Sequence, residues 1–441
     1  MSTTTPQPPA PAAAVVWGAV AVFAAAVVRL PLMFMPGHAG DKGYFVNWAK
    51  LFTQRPLEAA YLPGRFQPDH LPPDLIIHWG LASSFLSMGG KSFESTAYSL
   101  LLKALPTFTD LVMAVLAYVF LSAVRGRVTG VIGLSLVLLA PPMVLTSSLW
   151  GQWDSLAICL LAGTAFCAWR WPRVWGLFLP LSVYAVFIKP PLAVVVLPVI
   201  AAEFFRVPPP RRDETAPKGG RGSVVRFLIN MTGGGAAGLA LVAAVSAPFN
   251  VSLIKTPGSL YFLDLVKFAG DKFTFRAMNS PNFWGFLQHP KERVLDTRPL
   301  FLDLSASTWG MLMFVAAALL IGIIALARRR APALDRPWVL GIWGATATTW
   351  ASTFFLTRVH ERYLLPCVVA SLLLALLTQS RVAWAAFALA AVASTVCTVS
   401  GLLQANRMVM DHGAWIAGCV AYALTGALLL AFPFTKPRIA A

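Results

Sequence analysis

Asp41 stands in Gly40-Asp41-Lys42-Gly43-Tyr44-Phe45, just past a long apolar run and just ahead of a stretch with helical amphipathic spacing. A carboxylate held at that depth, beside a membrane surface, is placed to take the proton from an acceptor hydroxyl as a catalytic base. The plainer reading is a solvated loop Asp next to Lys42. Asp69-His70-Leu71-Pro72-Pro73-Asp74 follows in the same loop and could pack against it, and the residues alone leave Asp69 and Asp74 open as the base. No second carboxylate stands at Asp-x-Asp spacing, so a metal held by this segment is not indicated.

Three further clusters carry polar groups that an apolar helix end does not need. In Leu149-Trp150-Gly151-Gln152-Trp153-Asp154-Ser155 the tryptophans read as interfacial anchors. Asp154 reads as a first-turn carboxylate favoured by the helix amides, or, with Gln152, as a group that binds sugar hydroxyls. Lys189 lies between two apolar runs, where an ammonium is costly unless paired. It either snorkels to the interface or meets a lipid phosphate. Thr357-Arg358-Val359-His360-Glu361-Arg362-Tyr363 is the densest polar turn. Arg358, His360 and Arg362 suit a phosphate through charge-assisted contacts, with Glu361 orienting one of them; a surface ion-pair network is the bland alternative. Asp69, His70, Glu361 and Tyr363 join Gln152 and Asp154 as candidates for sugar or acceptor contact. Lys103 and Asp110 sit two turns apart on one helix face, and Asp110 most simply pairs with a neighbouring helix.

The elements that must position these groups are membrane helices. Of 441 residues 57% are hydrophobic and 12% charged, and the mean hydropathy is +0.69, which excludes an ordinary soluble domain. The charge of +17 would suggest nucleic acid in a soluble chain; here the basic residues sit in loops between apolar runs, so no nucleic-acid partner is expected. The five cysteines lie in apolar segments without CxxC spacing and read as small packing residues. Runs of about 20 apolar residues predict about twelve transmembrane helices in an all-α, polytopic, single domain over 1–441. The first run, Ala12 to Met35, reads as a retained helix rather than a cleaved signal. Later spans include Val128 to Thr146, Gly151 to Ala168, Trp175 to Ile188 and Pro190 to Phe205, the last two meeting at a prolyl turn. Two long loops stand out, 36–99 and 248–308. In the first, Tyr44, Phe45, Trp48, Leu51 and Phe52 share a helical face, as in a helix lying in the interface, and a second such helix is expected from Asp74 to Met88.

Arg125, Arg127, Arg170, Arg173, Arg206, Arg226, Arg328 to Arg330 and Arg381 fall in one set of short loops, whereas the opposite turns hold Lys189, Arg358, Arg362 and Arg407. The asymmetry places both termini in the cytoplasm. Asp41, Asp154, Lys189 and the turn from His360 to Arg362 then share the extracytoplasmic side.

The Asp at the start of the first outer loop, the Leu-Lys-x-x-Pro-x-x-x-Asp helix, the Trp-Gly-Gln-x-Asp-Ser turn, the Lys-Pro turn and the His-Glu-Arg-Tyr turn, in order from Gly40 to Pro366, together resemble GT-C superfamily glycosyltransferases. The set is closest to bacterial relatives of the GPI-anchor second mannosyltransferase. The resemblance implies inverting transfer of one sugar, a mannose-like hexose, from a polyprenyl-phosphate donor to an acceptor hydroxyl at the extracytoplasmic face of a bacterial cytoplasmic membrane. It assigns the catalytic carboxylate to Asp41, the cationic turns to Lys189, His360 and Arg362, and the Gln/Asp turn to Gln152 and Asp154. Pro191 stands where many relatives have Gln, and His70 or Leu71 where an aromatic is common, which leaves the sugar open. The acceptor is a glycan, lipid or protein, and a divalent cation is not indicated. The rival readings are a lipid-linked glycan transporter or flippase, and a lipid-diphosphate-dependent polymerase or ligase.

Overall fold

The computed structural model describes residues 11–61, 68–171, 174–196, 198, 219–272, 274–288 and 292–435. The protein is an all-α polytopic membrane protein. Among the described residues six helices are long and apolar enough to cross a bilayer, and a bent pair makes a seventh. The long ones are α1 (Pro11–Phe34), α4 (Thr96–Arg125), the helix Gly219–Ser246, and three near the C-terminal end, Ala306–Arg328, Arg381–Ala405 and His412–Ala431. At about 1.5 Å per residue each spans a hydrocarbon layer of about 30 Å.

Among the described residues the full-length spans are fewer than the expected dozen, and several of the other expected spans are broken or shortened at prolines. The segment taken as one span from Val128 to Thr146 is helix α5 (Arg127–Leu139), a break at Ala140, a short turn Pro141–Val144 and a π-helix Leu145–Trp150, with a 47° bend. Pro141 and Pro142 lack the N–H needed to continue the ladder. Helix α6 begins at Asp154, not Gly151, and runs to Arg170. Trp175 to Ile188 is a 3-10 turn followed by α7 (Leu179–Ile188), about half a bilayer long. Half of the span placed at Pro190 to Phe205, and much of the loop from Arg206 to Arg226, lies outside the described residues.

Loop 36–99 holds two helices as expected, with shifted details. Helix α2 is Ala39–Gln54 and buries Phe45, Val46, Trp48, Ala49 and Phe52, while Tyr44 is 42% exposed; the buried face is thus rotated from the one read in the sequence. Helix α3 starts at Pro72, because Pro72 and Pro73 fill the first-turn positions whose N–H groups have no helical partner, and ends at Ser87. Loop 248–308 contains two short two-stranded sheets and α8 (Phe262–Asp271). Phe249 from that loop packs edge-on against Phe52 and Tyr61, with centroids 6.2 and 6.3 Å apart, so the two long loops form one layer. Asp110, inside α4, pairs with Arg29 of α1 at 2.7 Å, and Arg29 also donates to Ser148 Oγ and the Leu138 carbonyl. This charge pair fastens α1, α4, α5 and the π-helix together, and Lys103 takes no part in it.

Candidate active site

Two glycines allow the two halves of the site to touch. Gly37 has φ +69°, and a Cβ there would lie 2.4 Å from the Leu149 carbonyl oxygen. Gly151, at φ +84°, ends the π-helix against Lys103, whose Cγ would stand 2.9 Å from an added Cβ. Lys103 Nζ donates to the Met33 carbonyl at 3.1 Å and to that of Met35, at the C-terminal end of α1. The start of the first long loop and the Trp150 turn are thereby held side by side.

Asp41 lies in the first turn of α2, where a carboxylate is favoured. Its Oδ2 accepts hydrogen bonds from Trp150 Nε1 at 2.9 Å, from Arg362 Nη1 at 3.0 Å and from Gln152 Nε2. Its backbone N–H donates to His38 Nδ1 at 3.1 Å. Oδ1 stands 3.5 Å from the same ring nitrogen, beyond ordinary hydrogen-bond reach. Burial works to raise the Asp41 pKa, but Arg362, then His38 and the Trp150 hydrogen bond, outweigh it and hold the carboxyl below its ordinary value. Burial likewise lowers His38, leaving a neutral ring at neutral pH. The Trp150 indole stacks on His38 at 4.6 Å and receives the Arg362 guanidinium 5.4 Å from its ring centre.

Arg362 joins two carboxylates. Besides Asp41 it approaches Asp154 Oδ2 through Nε at 3.4 Å, and Lys189 Nζ stands 3.9 Å from Asp154 Oδ1. All three side chains are more than nine-tenths buried. Lys189 is delivered by the C-terminal end of α7, Asp154 by the first turn of α6, and Arg362 by the 3-10 turn Glu361–Leu364. The three line a small cleft with Tyr363, Thr349 and Thr353. His360 precedes that turn; burial, then Arg362 and Lys189, push its pKa down to about 3, so the ring is neutral at neutral pH.

Asp41, Gln152, Asp154, Lys189, Arg362 and Tyr363 therefore come together, with His360 beside them. Arg358 does not join them. It has φ +60°, and its guanidinium turns to Asp296 at 2.7 Å and Asp271 at 3.3 Å. Asp69 pairs with Lys272 at 3.3 Å, across to the second long loop. His70 pairs with Asp74, which is fully buried. Burial opposes ionisation of Asp74, yet His70, His78 and Lys189 bring its pKa down to about 2. Glu361 opens the 3-10 turn, and its side chain lies outside the described ones. Sequence reasoning missed His38, the Trp150 hydrogen bond, and His78, which stacks on Trp153 at 3.8 Å. A His three residues ahead of the first-turn Asp was the signal available for His38.

No protein-family model matches the chain, and no curated protein does. Among solved structures it is similar to the crystal structure of ArnT from Cupriavidus metallidurans bound to undecaprenyl phosphate, with 16% identity and a TM-score of 0.48, over 97% of this chain and 78% of that one.

Proposed function

We propose that the protein is a GT-C-type glycosyltransferase that moves one sugar from a polyprenyl-phosphate donor to an acceptor hydroxyl, at the membrane face bearing Asp41. The observation that carries this reading is the Arg362 bridge, which holds an ionised Asp41 beside a buried Asp154 and Lys189. Three donors fix Asp41 Oδ2 and leave Oδ1 as the oxygen that receives the proton. The acceptor oxygen attacks the anomeric carbon, its proton passes to Oδ1, and the carbon–oxygen bond to phosphate breaks with its electron pair going to the departing polyprenyl phosphate.

Charge builds on that phosphate as the bond breaks. Lys189 is best placed to meet it, because its ammonium lies beyond hydrogen-bond distance of Asp154. Arg362 supplies the second cation, and neutral His360 a hydrogen bond rather than a charge. Arg358, held by Asp296, positions the turn that carries both. Gln152, Asp154 and Tyr363 face the sugar. Asp69 and His70 are engaged by Lys272 and Asp74 and shape the loop behind it. The motif resemblance favours a hexose, mannose first.

The test is mass spectrometry of the purified protein in lipid with a panel of polyprenyl-phosphate sugars and a membrane extract as acceptor source. Sugar-selective release of polyprenyl phosphate with a matching glycosylated product supports the reading. Transbilayer movement of the intact lipid-linked sugar, with no release, would replace it with a transporter.

A further inference from the structure

A cavity of about 140 Å³ lies between α4, α6 and the helices Pro337–Phe355 and Leu365–Thr378. No charged side chain or hydroxyl lines it, and Phe120 stands edge-on to both of its indoles, Trp169 at 5.0 Å and Trp338 at 6.1 Å. The space is far from the candidate active site. Trp169 is fifteen residues past Asp154 on α6, about 22 Å along the axis, and Phe120 is seventeen past Lys103 on α4, about 25 Å. Trp169 and Trp338, at helix ends, thus read as interfacial tryptophans of the opposite membrane face. An apolar cavity of about 150 Å³ stays dry and takes up hydrocarbon. The bilayer is at hand to supply it, because Val115 and Val119, beside Leu116 and Phe120 on a helix of spanning length, are 45% and 43% exposed. Lipid tails are themselves apolar, so burying one here gains packing only, and the headgroup decides which lipid stays.

Two guanidiniums stand at the same end. Arg125, the last residue of α4, donates through Nε at 2.6 Å and through Nη2 to the Leu377 carbonyl, one of the last four of its helix. A carbonyl holds the side chain but leaves its charge unneutralised. Arg336 lies with Cζ 5.6 Å from the ring centre of Trp338, a wall of the cavity, and close enough to Arg125 for the two charges to repel. Among the described residues neither has a carboxylate partner, and Asp335, next to Arg336 in sequence, is exposed. Like charges side by side at the edge of a helix bundle suit a phosphodiester, whose free oxygens accept charge-assisted hydrogen bonds from both. We propose that the cavity and this arginine pair seat one anionic phospholipid of the leaflet opposite Asp41, with an acyl chain between Phe120, Trp169 and Trp338 and the phosphate on Arg125 and Arg336. The site does not rest on the function proposed above. Its lipid fills the space between the far ends of α6 and Leu365–Thr378, whose near ends carry Asp154 and follow Arg362.

The full-length protein is placed in nanodiscs of equal phosphatidylglycerol and phosphatidylcholine, one of the two carrying a photoreactive diazirine in an acyl chain, and labelled peptides are located by mass spectrometry. Each arginine's attraction to an anionic headgroup is worth about fivefold, so the pair predicts a preference of about 25-fold for phosphatidylglycerol at residues 113–120, 162–169 and 338–342. On the lipid-facing helix Ala306–Arg328 the two probes label alike. Arg336→Gln, which leaves the Arg125 contact with Leu377 in place, reduces the preference to about fivefold. Ala165→Phe, which fills the cavity, lowers labelling of those peptides by both probes. Equal labelling by the two probes in the wild type, or no labelling of those peptides, overturns the site without any variant having to fold. A preference that Arg336→Gln leaves untouched overturns it as well. Labelling that excess unlabelled polyprenyl phosphate removes from wild type and Arg336→Gln alike assigns the cavity to a polyprenyl chain reaching from the Lys189 cleft, and also overturns the proposal.

Discussion

Replacing Arg362 by Gln probes the bridge that organises the site. Arg362 is 9% exposed and touches Asp41 at 3.0 Å and Asp154 at 3.4 Å. Removing one partner from a buried ion pair costs about 3–5 kcal/mol. Asp41 is 24% exposed, so water recovers part of this, and the expected loss of stability is about 3 kcal/mol at neutral pH. Arg362 is also the strongest influence lowering the Asp41 pKa. A depressed folded pKa contributes stability above the ordinary carboxylate value, and that contribution is lost as pH falls through the folded pKa. Without Arg362 the folded pKa rises, so the loss of stability that Asp41 contributes on acidification shrinks, the variant's deficit narrows at low pH, and the acid limb of kcat/KM moves to higher pH. Loss of a cation at the developing phosphate charge lowers kcat by about 10²–10³. Arg362→Lys recovers one contact but not both, since an ammonium lacks the fork that spans two carboxylates. Thermal unfolding and initial rates across pH 4–8 (about the span over which carboxylates and histidine titrate) provide the readout. An acid limb that overlays that of the wild type would refute the bridge.

Other changes have equally definite outcomes. Lys189→Met raises KM for the lipid donor more than it lowers stability, checked by donor titration, because the ammonium stands 3.9 Å from Asp154 and is set to meet phosphate. Gly151→Ala, at φ +84° and against Lys103, destabilises by about 1–3 kcal/mol in thermal unfolding. His78 and His360 have folded pKa values of about 3, below the ordinary histidine value, so they contribute stability above about pH 6.5 that is lost as pH falls toward 3. The melting temperature therefore starts to drop near pH 6.5, and His78→Phe, which keeps the stack on Trp153, shallows the slope.

Much of the site was legible because its members are polar groups at the ends of apolar runs. Asp41, Gln152, Asp154, Lys189 and Arg362 were each singled out that way, and the structure gathers them within one set of contacts. Arg358 shows where such reading stops. It shares a turn with Arg362, yet the choice between them is made by Asp296, an unremarked residue of a distant loop. Trp150 was legible as an interfacial anchor, while its hydrogen bond to Asp41 depends on the π-helix and on Gly37, both products of tertiary packing. Hydropathy does not register a proline break such as Pro141-Pro142 within a continuous apolar run, so the span read from Val128 to Thr146 is bent in the structure by 47°.

The central claim is that Asp41 takes the acceptor proton. Its most direct measurement is the single-turnover rate of sugar transfer for wild type, Asp41→Asn and Asp41→Glu, with donor binding measured alongside. Asn keeps the size and the oxygen that Trp150 and Gln152 contact, and removes the base. The account predicts unchanged donor affinity, a rate lowered by about 10²–10⁴ in Asp41→Asn, and partial recovery in Asp41→Glu. Transfer by Asp41→Asn within a few-fold of wild type would contradict it.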